Sequence, residues 1–299
     1  MTRLPAVVPV TALGLAVLLS ACAEQGGTGA APTGSEPAPV TLPGDADVPV
    51  LQVAYTGGFV TPETLAGRLP VVAVYADGRV FSQGPVAAVF PGPAWPNVQV
   101  QQADPGTVEA LVRRALDGGV AGTSDLGTPP IADAASTRFT VTTAEGTTVR
   151  EVYALMEGAG ETTGLTDQQQ ADRAELAELF GELTDLPATL PPEGEAPASY
   201  EPAAVAALVR PWTAPDGDPA LDPTVQQPEA AWPGPALPGE PTGPGVSCVV
   251  ATGDQAPAVT TAARAANQLT PWRTDDGARW AVTFRPLLPH ETGCADLTD

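Results

Sequence analysis

The sequence predicts an α+β fold: antiparallel sheet with amphipathic helices packed on one face, joined by Pro- and Gly-rich loops. Three observations carry this. Segments with period-two alternation recur, the clearest being residues 69–81 (LPVVAVYADGRVF), where Val72, Val74 and Val80 alternate with smaller or polar neighbours. Other runs place apolar residues three and four apart behind capping residues, as amphipathic helices do. The 35 Pro and 31 Gly divide the chain into short elements with many loops.

Taken in order, residues 49–55 form a first strand ended by Gly57-Gly58. Thr61 and Pro62 suit the N-cap and first position of a short helix reaching Gly67. Residues 69–81 form a hairpin that seeds the sheet, because Asp77-Gly78 suits a primed turn with positive φ at both central residues. Its strands are expected to be half-buried. The loop Phe90-Pro91-Gly92-Pro93-Ala94-Trp95-Pro96 leads to a strand at 98–101. Asp104-Pro105 starts a helix with Val108, Leu111, Val112, Ala115 and Leu116 on one face, stopped by Gly118-Gly119. Residues 138–143 and 147–153 flank Ala144-Glu145-Gly146 as a second hairpin. Thr166 begins another helix, with Gln169 completing a capping box and Leu176, Leu179, Phe180 and Leu183 on its face.

Residues 187–202 are a Pro-rich break. Residues 203–212 suit either a strand or a helix; the strand is preferred because Pro211 follows and the next element is a loop. Residues 215–244 form a long Pro-rich acidic connection. A buried-type strand at 246–251 and an Ala-rich helix at 256–269 follow. Asp275-Asp276-Gly277 then turns into a strand at 279–285, with Trp280, Val282 and Phe284 on one face. The loop at 90–96 is echoed by Trp232-Pro233-Gly234-Pro235-Ala236-Leu237-Pro238, through internal duplication or convergent loop composition.

At 299 residues the chain can bury a sizeable core. The net charge is −22, and all 13 basic residues are Arg. Such a chain is repelled by nucleic-acid phosphate, so nucleic acid is excluded as a partner. Anionic headgroups do not attract it by charge either. Solubility is the plain reading of the acidity.

Residues 6–19 are an apolar run behind Arg3, too short to span a bilayer comfortably and suited to a signal peptide. The run ends in Leu19-Ser20-Ala21-Cys22, which resembles the lipobox of bacterial lipoproteins, although Pro5 and Pro9 interrupt its early part. The resemblance implies cleavage before Cys22 and a diacylglyceryl group on its thiol, placing the protein on the extracytoplasmic face of the cell membrane. The competing reading is an ordinary secretory signal with a chance Cys. Two acyl chains at about 0.8 kcal/mol per buried methylene hold stably. Residues 23–48 bury too little apolar surface to fold and form a tether spanning roughly 30 Å as a coil. The expected organisation is therefore a signal peptide at 1–21, the lipidated Cys and tether at 22–48, an α+β domain at 49–190, and a smaller domain or continuation of the same fold at 191–299.

With Cys22 acylated, Cys248 and Cys294 remain in an exported chain, where such pairs oxidise to a disulfide. A Cys nucleophile paired with His290 is the rival. More widely, the lipobox, the YADGRV hairpin, the PGPA loops and the C-terminal TPWRTDDGARWAVTFRPLLP segment resemble uncharacterised actinobacterial lipoproteins. That resemblance implies no activity.

Chemistry is bounded by exclusion. Without Lys there is no P-loop Lys, Schiff-base Lys or Ser-x-x-Lys nucleophile. His290 is the one His in the sequence, so multi-His zinc sites are absent, and no G-x-S-x-G elbow occurs. A Ser–His–acid triad on His290 has no motif to mark its Ser, and a solvated loop His is the plainer reading. Asp216, Asp218 and Asp222 lack the spacing and terminal Glu of a calcium loop. No cofactor or metal is expected.

The expected function is a membrane-anchored binding or envelope-associated module without an identifiable catalytic site. Its partners would be the membrane, through the anchor, and an envelope protein or glycan. The alternative is a carboxylate-dependent hydrolase of wall glycan, since acidic pairs are plentiful. Phe90 and Trp95 in one loop, and Trp232 and Leu237 in the other, are the candidate binding residues, presented on bends that Pro fixes. The competing reading folds both loops back as lids on the sheet. Trp95 is expected to be the more exposed Trp and Trp232 mostly buried.

Overall fold

The computed structural model describes residues 40–190, 196–213 and 229–297. Cys22, residues 23–39 and the triplet Asp216, Asp218 and Asp222 lie outside the described residues. The strands are β1 Pro49–Thr56, β2 Val72–Tyr75, β3 Arg79–Gln83, β4 Val98–Gln102, β5 Ser136–Thr143, β6 Gly146–Tyr153, β7 Ala198–Ser199, β8 Ala204–Pro211, β9 Ala230–Ala231, β10 Glu240–Gly243, β11 Val246–Thr252, β12 Trp272–Arg273 and β13 Arg279–Pro286. The helices are α1 Pro62–Gly67, α2 Pro105–Ala115, α3 Asp167–Thr184, α4 Leu186–Thr189 and α5 Gln255–Arg264. The fold is α+β, with two sheets.

The first sheet runs β6-β5-β1-β2-β3-β4-β7 and is antiparallel throughout. Val72, Val74 and Val80 share one face, as their alternation requires, and join Phe139, Val141 and Val152 in the main core. Helices α2 and α3 cover that core through Val108, Val112, Leu176, Leu179 and Leu183. The opposite face is buried too: Ala73, Tyr75, Phe81 and Val98 pack with Leu288 from beyond β13. All four residues of β2 are therefore buried, not half of them. A central strand covered on both faces tolerates few exposed polar side chains, which is why its sequence is VAVY.

The turn of the seeding hairpin also differs from expectation. Its loop holds three residues, Ala76 to Gly78, and among them only Gly78 has positive φ, at 93°. A three-residue loop needs one left-handed residue at its end, where a primed two-residue turn needs two. Gly78 is doubly required, because a Cβ there would collide with the Ala103 carbonyl oxygen that β4 brings alongside.

The caps read from sequence hold. Thr61 accepts from the Thr64 N–H, Asp104 from the Thr107 N–H, and Thr166 forms the reciprocal box with Gln169. Each satisfies an N–H that the first helical turn leaves without a partner.

The second sheet runs β10-β11-β8-β13-β12-β9, antiparallel except for the β12–β9 pair. Residues 203–212 are thus a strand, and β8 is the sheet's buried centre. One face packs against α5 through Val205, Ala251, Val259, Ala263, Trp272 and Phe284. The other packs α1 and the C-terminal tail against Ala206, Leu208, Val246 and Leu287. Helix α5 stops at Arg264, short of the expected 269. Beyond it, Asn267 and Thr270 bond each other's local backbone and side chains, drawing residues 265–270 into a turn.

Cys248 and Cys294 form a disulfide with Cα atoms 6.1 Å apart, which removes the Cys–His nucleophile reading. The bridge does not join neighbouring strands, since β8 lies between β11 and β13. It staples the tail across the face of β8, where Cys294 and Leu297 pack beside Leu208.

Candidate functional site

The loop between β3 and β4 is the first element of the site. It is fixed at its base, where Gly84 N–H donates to Asn97 O at 2.7 Å and Asn97 Nδ2 donates to Pro85 O at 2.9 Å. Further along it is pinned to the turn after α5: Gln268 N–H donates to Gly92 O at 2.9 Å and Ala94 N–H to Ala266 O at 3.2 Å. These bonds bring the loop onto the second sheet, where the Trp95 ring packs 6.3 Å from Phe284.

Trp95 forms one wall of a cleft of about 280 Å³, with Tyr200, Pro93 and Pro96 as further apolar surface. Glu201 and Arg264 supply charge at its rim, and Asn97 and Ser199 supply polar groups. Arg264 stands 5.8 Å from the centre of the Trp95 ring and donates to Glu201 at 2.6 Å. A rigid aromatic wall facing hydrogen-bonding groups suits a small, partly apolar ligand or one residue of a larger one.

Behind the cleft lies a buried polar network. Tyr200 is held by its N–H on Val98 O, by its hydroxyl donating to Leu287 O at 2.8 Å, and by its ring standing edge-on to Phe81. Burial first, and then the charge of Glu291, push the Tyr200 pKa up to about 12. Tyr75 reaches His290 with a hydroxyl to Nδ1 distance of 2.6 Å. Burial pushes the Tyr75 pKa up and the His290 pKa down, so both are neutral at pH 7. The phenol and Nδ1 therefore share a hydrogen bond between two neutral groups. His290 is thus a half-buried, hydrogen-bonded residue and not a solvated loop His. Beneath it, Arg285 and Glu291 form an ion pair at 2.5 Å, both side chains almost wholly buried.

This arrangement can hold a ligand. Among the described residues Glu201 is the single carboxylate lining the cleft, and it is paired with Arg264. Two-carboxylate hydrolysis needs a second at about 5–10 Å. Among the described residues no three His, Cys, Asp or Glu side chains are grouped to hold a metal ion.

The four loop residues singled out in the sequence occupy different places. Phe90 is 67% exposed. Trp95 is partly buried in the cleft wall. Trp232 is also partly buried, stacking on Phe284 at 6.3 Å and standing edge-on to Trp272 at 5.8 Å, with Nε1 donating to Pro235 O. Leu237 is partly buried. Both loops therefore meet over Phe284. Tyr200, Arg264 and Glu201 escape the sequence reading, because no local pattern links positions 95, 200 and 264.

No protein-family model matches the chain, and no curated protein or solved structure matches it.

Proposed function

We propose that this protein is a lipoprotein anchored through Cys22 on the extracytoplasmic face of the cell membrane, its folded body an envelope-associated binding module. The Leu19-Ser20-Ala21-Cys22 sequence behind a short apolar run carries the anchor reading. The Cys248–Cys294 disulfide supports export, since such bonds persist in oxidising compartments. The Trp95 cleft supports the binding reading, and Glu201, its one carboxylate among the described residues, is held by Arg264.

Mass spectrometry of the N-terminal peptide and detergent phase partition test the anchor. The expected result is a diacylglyceryl-modified Cys22 and membrane partition that Cys22→Ala abolishes. Unmodified wild-type protein in the medium, with its N-terminal sequence showing no proteolytic shedding, refutes it. For the cleft, Trp95→Ala should weaken retention on solubilised envelope while leaving the protein folded. A large fall in melting temperature with retention intact ends the binding-loop reading.

A further inference from the structure

We propose that one end of the first sheet docks on the surface of a lipid bilayer through exposed apolar loops. This takes from the proposed function only that the protein resides at a membrane.

Strand register defines that end. Thr56 faces Ser136, Ser136 faces Tyr153, Val72 faces Ser82, and Gln83 faces Val98. The chain therefore leaves β1, β3 and β6 at the same end. The segments that follow carry most of the large exposed apolar side chains among the described residues: Phe59 is 86% exposed, Val86 65%, Val89 60% and Phe90 67%, while Val149 is exposed within β6 itself. Val60 and Met156, leaving the same end, are exposed as well. Single exposed apolar residues are ordinary, but a set gathered at one end of a sheet marks an interaction surface.

The chemistry of the β3–β4 connection is uniform. From Val80 to Ala103 the sequence has no charged side chain, in a chain with 35 acidic and 13 basic residues. All six residues of the arm at 85–90 (PVAAVF) are exposed. The arm is pre-ordered, because the bonds at Gly84–Asn97 and Gly92–Gln268 fix both its ends, so docking costs little chain entropy.

A bilayer fits this surface better than a protein does. The apolar tips sit on separate connections, and β1 lies two strand steps, about 10 Å, from β3 on one side and from β6 on the other. A fluid apolar phase accepts separated tips without a matching groove. The arm has no regular backbone structure, which limits it to the interfacial layer, about 5–10 Å deep, where water still reaches its peptide groups. The anchor permits this pose. Pro49 begins β1 at the opposite end, and a strand of eight residues rises about 26 Å. The 18 residues from Cys22 to Pro39 can extend to about 60 Å. The net charge of −22 then dictates an unusual lipid preference: anionic headgroups should weaken docking, and salt should restore it.

The test uses residues 22–299 with Cys22→Ser, so that neither signal peptide nor acyl chain contributes; the compact unit begins at Val40 and loses nothing. Phosphatidylcholine vesicles should co-sediment with this protein, and brominated acyl chains should quench a Phe90→Trp reporter. Phe59→Ser and Phe90→Ser should each lower partition about tenfold, with the melting temperature unchanged because both side chains are exposed. Replacing part of the lipid by phosphatidylglycerol should weaken binding at low salt. Absence of vesicle binding, an unquenched reporter, or full binding by the Phe59→Ser/Phe90→Ser variant overturns the proposal. So does a dimer that the same variant abolishes without any vesicle binding, which would give the surface to a second copy. Failure of Cys22 acylation in the exported wild type would remove the anchor and leave the vesicle result standing.

Discussion

Changing Glu291 to Gln should strand the Arg285 guanidinium without its counter-charge inside the protein. The two side chains are 2% and 6% exposed and meet at 2.5 Å. Glu291 also accepts the Leu288 N–H at 2.7 Å, while Arg285 Nε donates to Arg68 O at 3.1 Å and Nη1 to Pro286 O. Gln keeps the shape and one acceptor oxygen but not the charge. Burial already pushes the Arg285 pKa down, and Glu291 is the main influence opposing it. Breaking such a pair from one side costs about 3–5 kcal/mol, because a desolvated charge stays behind. Replacing both partners, as Arg285→Met with Glu291→Leu, removes the attraction together with both desolvation penalties. What remains is the loss of partners for Arg68 O, Pro286 O and Leu288 N–H, about 1–3 kcal/mol each at most. The double variant should therefore lose less stability than Arg285→Met and Glu291→Leu lose in sum. Guanidinium unfolding followed by Trp fluorescence measures this, provided the slope is common to all variants. A Glu291→Gln cost below about 1 kcal/mol, or additive single changes, would refute the assignment of a buried, mutually dependent pair.

Two further outcomes follow from the same region. The disulfide closes a loop with a sequence separation of 46, so Cys248→Ala with Cys294→Ala should cost about 4 kcal/mol by loop entropy. Thiol titration of the folded protein should find neither Cys reactive, and two reactive thiols would contradict the bridge. Burial holds the His290 pKa below its ordinary 6.5, so the unfolded chain takes up that proton first on acidification. The contribution of neutral His290 is therefore full above about pH 6.5 and lost as pH falls toward its folded pKa. Unfolding at pH 5 and pH 7.5 should show this loss in the wild type and a smaller one in His290→Gln; equal losses would refute it.

Local order was determined by the sequence alone. A cap acts on an N–H two or three residues away, so Thr61, Asp104 and Thr166 mark their helices without outside help. Alternation places Val72, Val74 and Val80 on one face whatever covers it, and reading the chain as exported, with Cys22 set aside, suffices to predict the Cys248–Cys294 bond. Tertiary structure decided what those patterns meet. Whether β2 is covered on one face or two depends on Leu288, more than 200 positions away in the chain. The two-residue strand β9 and the edge strand β10 carry no signal of their own, since they form only where β12 and β11 offer free edges. Helix α5 ends early because the turn at 265–270 bonds to itself and to the Gly92–Ala94 loop. The cleft draws on positions near 95, 200 and 264, and the Tyr75–His290 pair joins residues 215 apart. Such meetings are set by strand order and sheet packing, which arise from summed long-range burial, and no short stretch of sequence encodes them.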